Sequence, residues 1–158
     1  MKHTISVLVE NKFGVLARIS GLFSARGFNI DSLAVGETED KSVSRMTIVV
    51  DAKDERILEQ IKKQLNKLID VITVIDLTKK DFVERELVLV KVPLTEITKT
   101  KLEQLLKKFP ARIVQSNSKT AIVEVCSDQD HIERLLSELK GLGYKELTRT
   151  GKIAINAE

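Results

Sequence analysis

The sequence predicts an α+β fold built as two tandem βαββαβ units. Three observations carry that prediction. Apolar residues switch between period two and period three-to-four in the order strand, helix, strand, strand, helix, strand. The same order occurs twice in the 158 residues, over 1–78 and over 79–158. Glycines and prolines fall where the period changes, at Gly14, Gly27, Pro93, Pro110, Gly141 and Gly143.

The elements follow in order. Thr4 to Val9 alternates, with Ile5, Val7 and Val9 on one face, and reads as a strand. After the turn from Glu10 to Gly14, the residues Val15, Leu16, Ile19, Leu22 and Phe23 take helical spacing, and Gly27 closes the helix. Asn29 to Val35 is a strand and residues 36–41 form a polar hairpin loop. Ser44 to Val50 follows, with Met46, Ile48 and Val50 inward. Asp54 is the expected N-cap of a helix carrying Ile57, Ile61, Leu65 and Leu68. Asp70 to Leu77 completes the first unit, whose second sheet face is expected to be open. Thr78 to Arg85 reads as a charged linker.

The second unit repeats the pattern. Leu87 to Val92 is a strand ended by Pro93. Ile97, Leu102, Leu105, Leu106 and Phe109 mark a helix that Pro110 stops. Arg112 to Gln115 and Thr120 to Val125 are strands joined by the turn Ser116 to Lys119. Asp128 caps a helix with Ile132, Leu135, Leu136 and Leu139 inward, and Tyr144 to Thr150 is the last strand. Residues 152–158 are a strand extension or a frayed end. The two units together are the ferredoxin-like arrangement, twice.

Composition narrows the function. Hydrophobic residues are 42% and charged residues 31%, the balance of a globular chain. Net charge is +3; residues 1–78 hold 11 basic and 11 acidic side chains, and 79–158 hold 15 and 12. So small and scattered an excess is no footprint for nucleic acid. Aromatics are 4% with no Trp, which leaves the sheets without the stacking residues of an RNA-binding βαββαβ module. No leader and no membrane span is expected, and the one cysteine, Cys126, permits no internal disulfide, so a cytoplasmic setting is the expectation. Cys126 itself is expected in the core.

The sequence offers no catalytic or metal constellation. His3 and His131 fall in different units, and no CxxC, HExxH, P-loop or GxGxxG is present. The informative segment is Glu10-Asn11-Lys12-Phe13-Gly14-Val15-Leu16, where a strand runs into a helix. A helix start offers free N–H groups and a partial positive charge to a carboxylate. Gly14 admits a ligand close to the backbone and Asn11 carries both a donor and an acceptor. The same residues also suit a plain strand-to-helix turn. Asn29 opens a strand, where it either caps the backbone or makes a polar contact across a subunit interface.

At these residues a family resemblance appears. Residues 5–78 resemble an ACT domain. The runs VENKFGVLARISGLFSARGFNIDSLAV, SRMTIVV and LEQIKKQLNKLIDVITV, followed by RELVLVKV, resemble the small regulatory subunits of acetolactate synthase (acetohydroxyacid synthase) over essentially the whole chain. The resemblance implies an N-terminal ACT domain over 1–78 for effector binding and dimerisation, and a C-terminal small-subunit domain over 79–158. It implies no catalytic activity of this chain, but stimulation of a large catalytic subunit and feedback inhibition, usually by valine. Thiamine diphosphate, magnesium and FAD are then expected in the catalytic subunit, and none in this chain. The effector site lies between ACT units of a homodimer, with Asn11, Gly14, Val15 and Leu16 on one side and Asn29 and Ile30 of the partner protomer on the other. Phe13 stands where a small polar residue is expected, which bears on the pocket's width. The alternative is a free-standing tandem-ACT amino-acid sensor that controls another enzyme or a transcription factor.

Overall fold

Strand alternation and helical periodicity generate two separate cores. The structure, a computed structural model, describes residues 2–51 and 55–157. The elements are β1 (Lys2–Glu10), α1 (Val15–Ser24), β2 (Ile30–Glu37), β3 (Val43–Asp51), α2 (Glu55–Leu65), β4 (Val71–Asp76), β5 (Phe82–Pro93), α3 (Glu96–Leu106), β6 (Ala111–Ser116), β7 (Thr120–Ser127), α4 (Gln129–Lys140), β8 (Glu146–Arg149) and β9 (Ile153–Asn156). The N-cap expected at Asp54 lies outside the described residues.

In the first unit the sheet order is β2-β3-β1-β4, and the paired strands are antiparallel. Ile5 and Val7 of β1 stand opposite Ile48 and Met46 of β3. Period two therefore puts all four on one face. Ile19, Leu22 and Phe23 of α1 and Leu58, Ile61 and Leu65 of α2 bury onto that face. Gly27 ends α1 at φ +69°, with its own N–H on Ser24 O and the Phe28 N–H on Phe23 O. This is the Schellman pattern, and it needs the left-handed residue that glycine supplies.

The second unit repeats the layout, with order β6-β7-β5-β8. Val88, Val90 and Val92 of β5 join Val123 and Val125 of β7 beneath Leu102 of α3 and Ile132, Leu135 and Leu139 of α4. The Asp128 carboxylate accepts the His131 N–H at 2.9 Å, so the expected cap of α4 is present. Buried Glu86 takes the Arg149 guanidinium on both oxygens, at 3.0 and 2.7 Å, and ties β5 to β8.

Three expectations need correction. First, β5 begins at Phe82, inside the expected linker, because Phe82 to Pro93 keeps an unbroken alternation of burial. Second, Cys126 is exposed rather than in the core. Its neighbours Val125 and Ser127 are buried, so alternation turns the thiol outward. Third, the outer face of the first sheet is covered. Thr4, Ser6, Thr47 and Val49 lie on that face, yet each is 5% exposed or less.

The cover is the C-terminal tail, which returns to the first unit. Compact packing groups the residues through Val83 with the tail from Lys152 onward, and Glu84 to Gly151 separately. Lys152 N–H donates to Ser32 Oγ at 2.9 Å and Ala154 N–H to Thr47 Oγ1 at 3.4 Å. Ala154 is buried, while Ile153 and Ile155 on either side of it are exposed. Ala157 N–H closes on Asp81 O at 2.9 Å, beside the pairing of β9 with β5. Ala154→Asp would place a carboxylate against this sheet, and an unpaired buried polar group costs about 1–3 kcal/mol or more. Amide hydrogen exchange over residues 4–8 and 45–49 is expected to speed up accordingly; unchanged protection would mean the tail contributes no cover.

Candidate effector site

The strand-to-helix turn of the first unit is held from the hairpin side. Asn11 N–H donates to Ser42 O at 2.6 Å, and Lys12 N–H to Glu10 O at 3.0 Å. The chain then reverses into α1 through Gly14, at φ +81° and ψ −13°. No atom lies within 4 Å of where a Cβ would sit, so glycine is needed for its left-handed backbone rather than for space.

This turn leaves α1 uncapped. Gly14 occupies the N-cap position and no side chain bonds the first turn. The Val15 N–H has only Lys12 O, at 3.4 Å, and the helical ladder begins with Arg18 N–H on Gly14 O at 2.9 Å. The first-turn amides and the positive end of the helix dipole are therefore available to an anion.

Asn11 does not cap the helix. Its Nδ2 donates to Glu37 Oε1 at 3.1 Å and to Lys41 O at 2.9 Å. The β2–β3 loop that presents these acceptors is itself organised. Asp40 Oδ1 accepts the Ser42 hydroxyl at 2.7 Å and the Ser42 N–H at 2.9 Å, and these bonds hold the Asp40 carboxyl below its ordinary range. Two cations flank the turn. Lys12 sits on Glu10 at 2.7 Å, which raises its pKa above the ordinary lysine value through that hydrogen bond and charge. Arg18 sits on Asp70 at 3.0 Å.

The expected site residues separate into two groups. Asn11, Gly14, Val15 and Leu16 are together at the end of β1. The Val15 side chain is buried in the core, so it is the Val15 amide, not its side chain, that is offered at the turn. Leu16 is 45% exposed and Phe13 is 99% exposed. Asn29 and Ile30 lie elsewhere. Ile30 stands opposite Val50, which stands opposite His3 at the start of β1. Seven residues of strand, about 23 Å, separate His3 from Glu10. Asn29 immediately precedes β2 and gives its Nδ2 to Asp31 Oδ1 at 2.8 Å. One chain alone does not bring the two groups together. Glu37 and Lys41, the partners of Asn11, were missed by sequence reasoning; the β1–β3 register that sets Glu10 beside Val43, with the β2–β3 hairpin register that sets Glu37 beside Ser44, is the signal that could have found them.

The second unit treats the equivalent turn differently. Thr95 caps α3, accepting the Thr98 N–H at 3.2 Å, and Thr98 Oγ1 accepts the Thr95 N–H at 2.6 Å. This capping box closes the helix start with the protein's own oxygens. Among the described residues, no three His, Cys, Asp or Glu side chains gather as a metal site.

The βαββαβ unit matches, over residues 5–73, the model for the AHAS small subunit-like ACT domain, and that match sets its class. Residues 85–158 match the model for the small subunit of acetolactate synthase. The chain is 46% identical over 154 residues to the acetolactate synthase small subunit of Mycolicibacterium smegmatis, covering 98% of this chain and 90% of that one. It is 44% identical to that of Bacillus subtilis over the same shares. The crystal structure of the acetolactate synthase small subunit from Thermotoga maritima superposes with a TM-score of 0.91 at 36% identity, covering 100% and 98% of the two chains. The chain belongs to the acetolactate synthase small-subunit family.

The contrast between the two turns is testable through stability. Thr95→Ala removes the α3 cap and should lower the second unit's stability by about 1 kcal/mol, read by urea denaturation. Gly14→Ala forces a side chain into the left-handed region and should cost about 1 kcal/mol in the first unit. An unchanged stability in either variant would mean that the corresponding turn does not depend on that residue.

Proposed function

We propose that this chain is the regulatory subunit of acetolactate synthase, which raises the activity of the large catalytic subunit and makes it sensitive to valine. The observation that supports this reading is the placement of the site's two halves at opposite ends of one edge strand. Edge strand β2 runs from Ile30 to Glu37, and Asn11 reaches its far end through Glu37. An antiparallel pairing of β2 with its two-fold mate lays the start of each strand beside the end of the other. Asn29 and Ile30 of one protomer then face Gly14 and Asn11 of its partner. Two equivalent sites result, each incomplete without the second copy.

In this reading the effector is a free branched-chain amino acid. Its carboxylate takes the first-turn amides of α1. Leu16, with Ile30 of the partner protomer, contacts its side chain. Discrimination among aliphatic side chains is modest, because one methylene is worth about 1–3 kcal/mol. Valine bridges two chains and so favours one quaternary arrangement; a coupling of about 1–3 kcal/mol is typical of such linkage. Thiamine diphosphate, magnesium and FAD belong to the catalytic partner, and the assembly works in the cytoplasm without nucleic acid or membrane.

The test is acetolactate formation from pyruvate by the purified catalytic subunit, with and without this chain, across a valine titration. Stimulation that valine reverses is the expected result. Absence of both stimulation and binding would overturn the proposal. Gly14→Asp places a like charge beside the effector carboxylate and should abolish the valine response; Asp tolerates the left-handed backbone better than most residues. Asn29→His should weaken the response, and an unaltered inhibition curve would take Asn29 out of the site.

A further inference from the structure

We infer that Glu37 is a residue of the effector site and supplies the counter-charge to the effector's ammonium group. The inference rests on the proposed effector reading and adds to it a residue and a polarity. It begins with the hydrogen-bond capacity of Asn11. A carboxamide has two N–H hydrogens and one oxygen. Both donors are directed within the chain, to Glu37 Oε1 at 3.1 Å and Lys41 O at 2.9 Å. Asn11 therefore has no donor left for a carboxylate, and what it offers a ligand is the acceptor Oδ1.

Glu37 stands beside it with its second oxygen uncommitted, and it makes no ion pair among the described residues. Lys12 and Arg18, the two cations that flank the turn, are engaged by Glu10 and Asp70; Lys41 of the same loop accepts from Asn11 through its carbonyl and makes no ion pair with Glu37 among the described residues. The hairpin side of the turn thus presents acceptors to a ligand, the Asn11 Oδ1 and the free oxygen of the Glu37 carboxylate. The helix side is a set of donors, the uncapped amides that follow Gly14. An α-amino acid carries an ammonium and a carboxylate on one carbon. Acceptors on one side and donors on the other match that pair in one orientation only. Asn11 acts here as a positioning residue, because its amide fixes the Glu37 carboxylate.

The experiment is calorimetric titration of the full-length chain with L-valine. Glu37→Gln keeps an oxygen that can accept from Asn11 and removes only the charge. Its affinity for L-valine should fall about 10- to 100-fold, the range of a charge-assisted hydrogen bond. Glu37→Asp retains the charge and should bind more tightly than Glu37→Gln. Glu39→Gln makes the same charge change two residues along the loop and should stay within about twofold of the unmodified chain if the effect is local. The inference fails if Glu37→Gln binds within twofold of the unmodified chain, if Glu37→Asp is as weak as Glu37→Gln, or if Glu39→Gln is equally weakened. Two results separate this failure from that of the underlying reading. An unmodified chain that binds no branched-chain amino acid sinks both. Normal binding, lost in Gly14→Asp and untouched in Glu37→Gln, sinks the Glu37 assignment alone.

Discussion

At the end of β1 the chain must leave the sheet and start a helix within four residues, and that constraint shapes the rest of the first unit. Asn11 N–H is anchored on Ser42 O, so the turn cannot swing away from the hairpin. Val15 must already point into the core. Between these fixed points only a left-handed residue closes the path, and Gly14 adopts φ +81°. A glycine at the N-cap has no side chain with which to satisfy the first turn. The conformation that makes the turn possible is therefore also what leaves the helix start open to an anion.

Topology alone does not produce such a site. The second unit has the same strand order and the same turn between β5 and α3, yet Thr95 and Thr98 close that helix start reciprocally. Two residues decide the difference. The same fold thus carries an open helix start in one copy and a capped one in the other. The sealed unit instead places a charged lock in its sheet, with Glu86 gripped by Arg149. The pair is buried on the Glu86 side only, so it bridges β5 and β8 at the cost of desolvating chiefly the carboxylate.

Local structure was legible in the sequence, and long-range closure was not. Gly27 announced the Schellman turn and Asp128 the cap of α4, because both depend on partners within five residues. The order of strands followed from periodicity and from the short connections. The tail was not legible, because the hydrogen bond between Lys152 and Ser32 spans 120 residues and leaves no periodic trace. Cys126 was misplaced by composition, since free cysteines are usually buried, whereas register turned this one outward. At the site, Asn11 and Gly14 stood out by residue type. Glu37 and Lys41 did not, because a carboxylate and a backbone carbonyl in a polar loop become partners only once β2 and β3 have paired.

The placement of the site at a sheet edge has an energetic consequence. β2 presents unpaired backbone groups along its outer side, with Val35 47% exposed. An edge of that kind is satisfied by a second strand, and an isologous pair satisfies both copies at once. The covered outer face bears on the same point. With the tail laid across Thr47 and Ser32, that face is not a free platform, and the β2 edge is left as the exposed pairing element beside the turn. In the proposed dimer, a ligand that touches the turn of one chain and the strand entry of the other would add its binding energy to that edge. Its occupancy must then report on how the two chains sit together, because an effector shifts an equilibrium only through differential contacts with its two states.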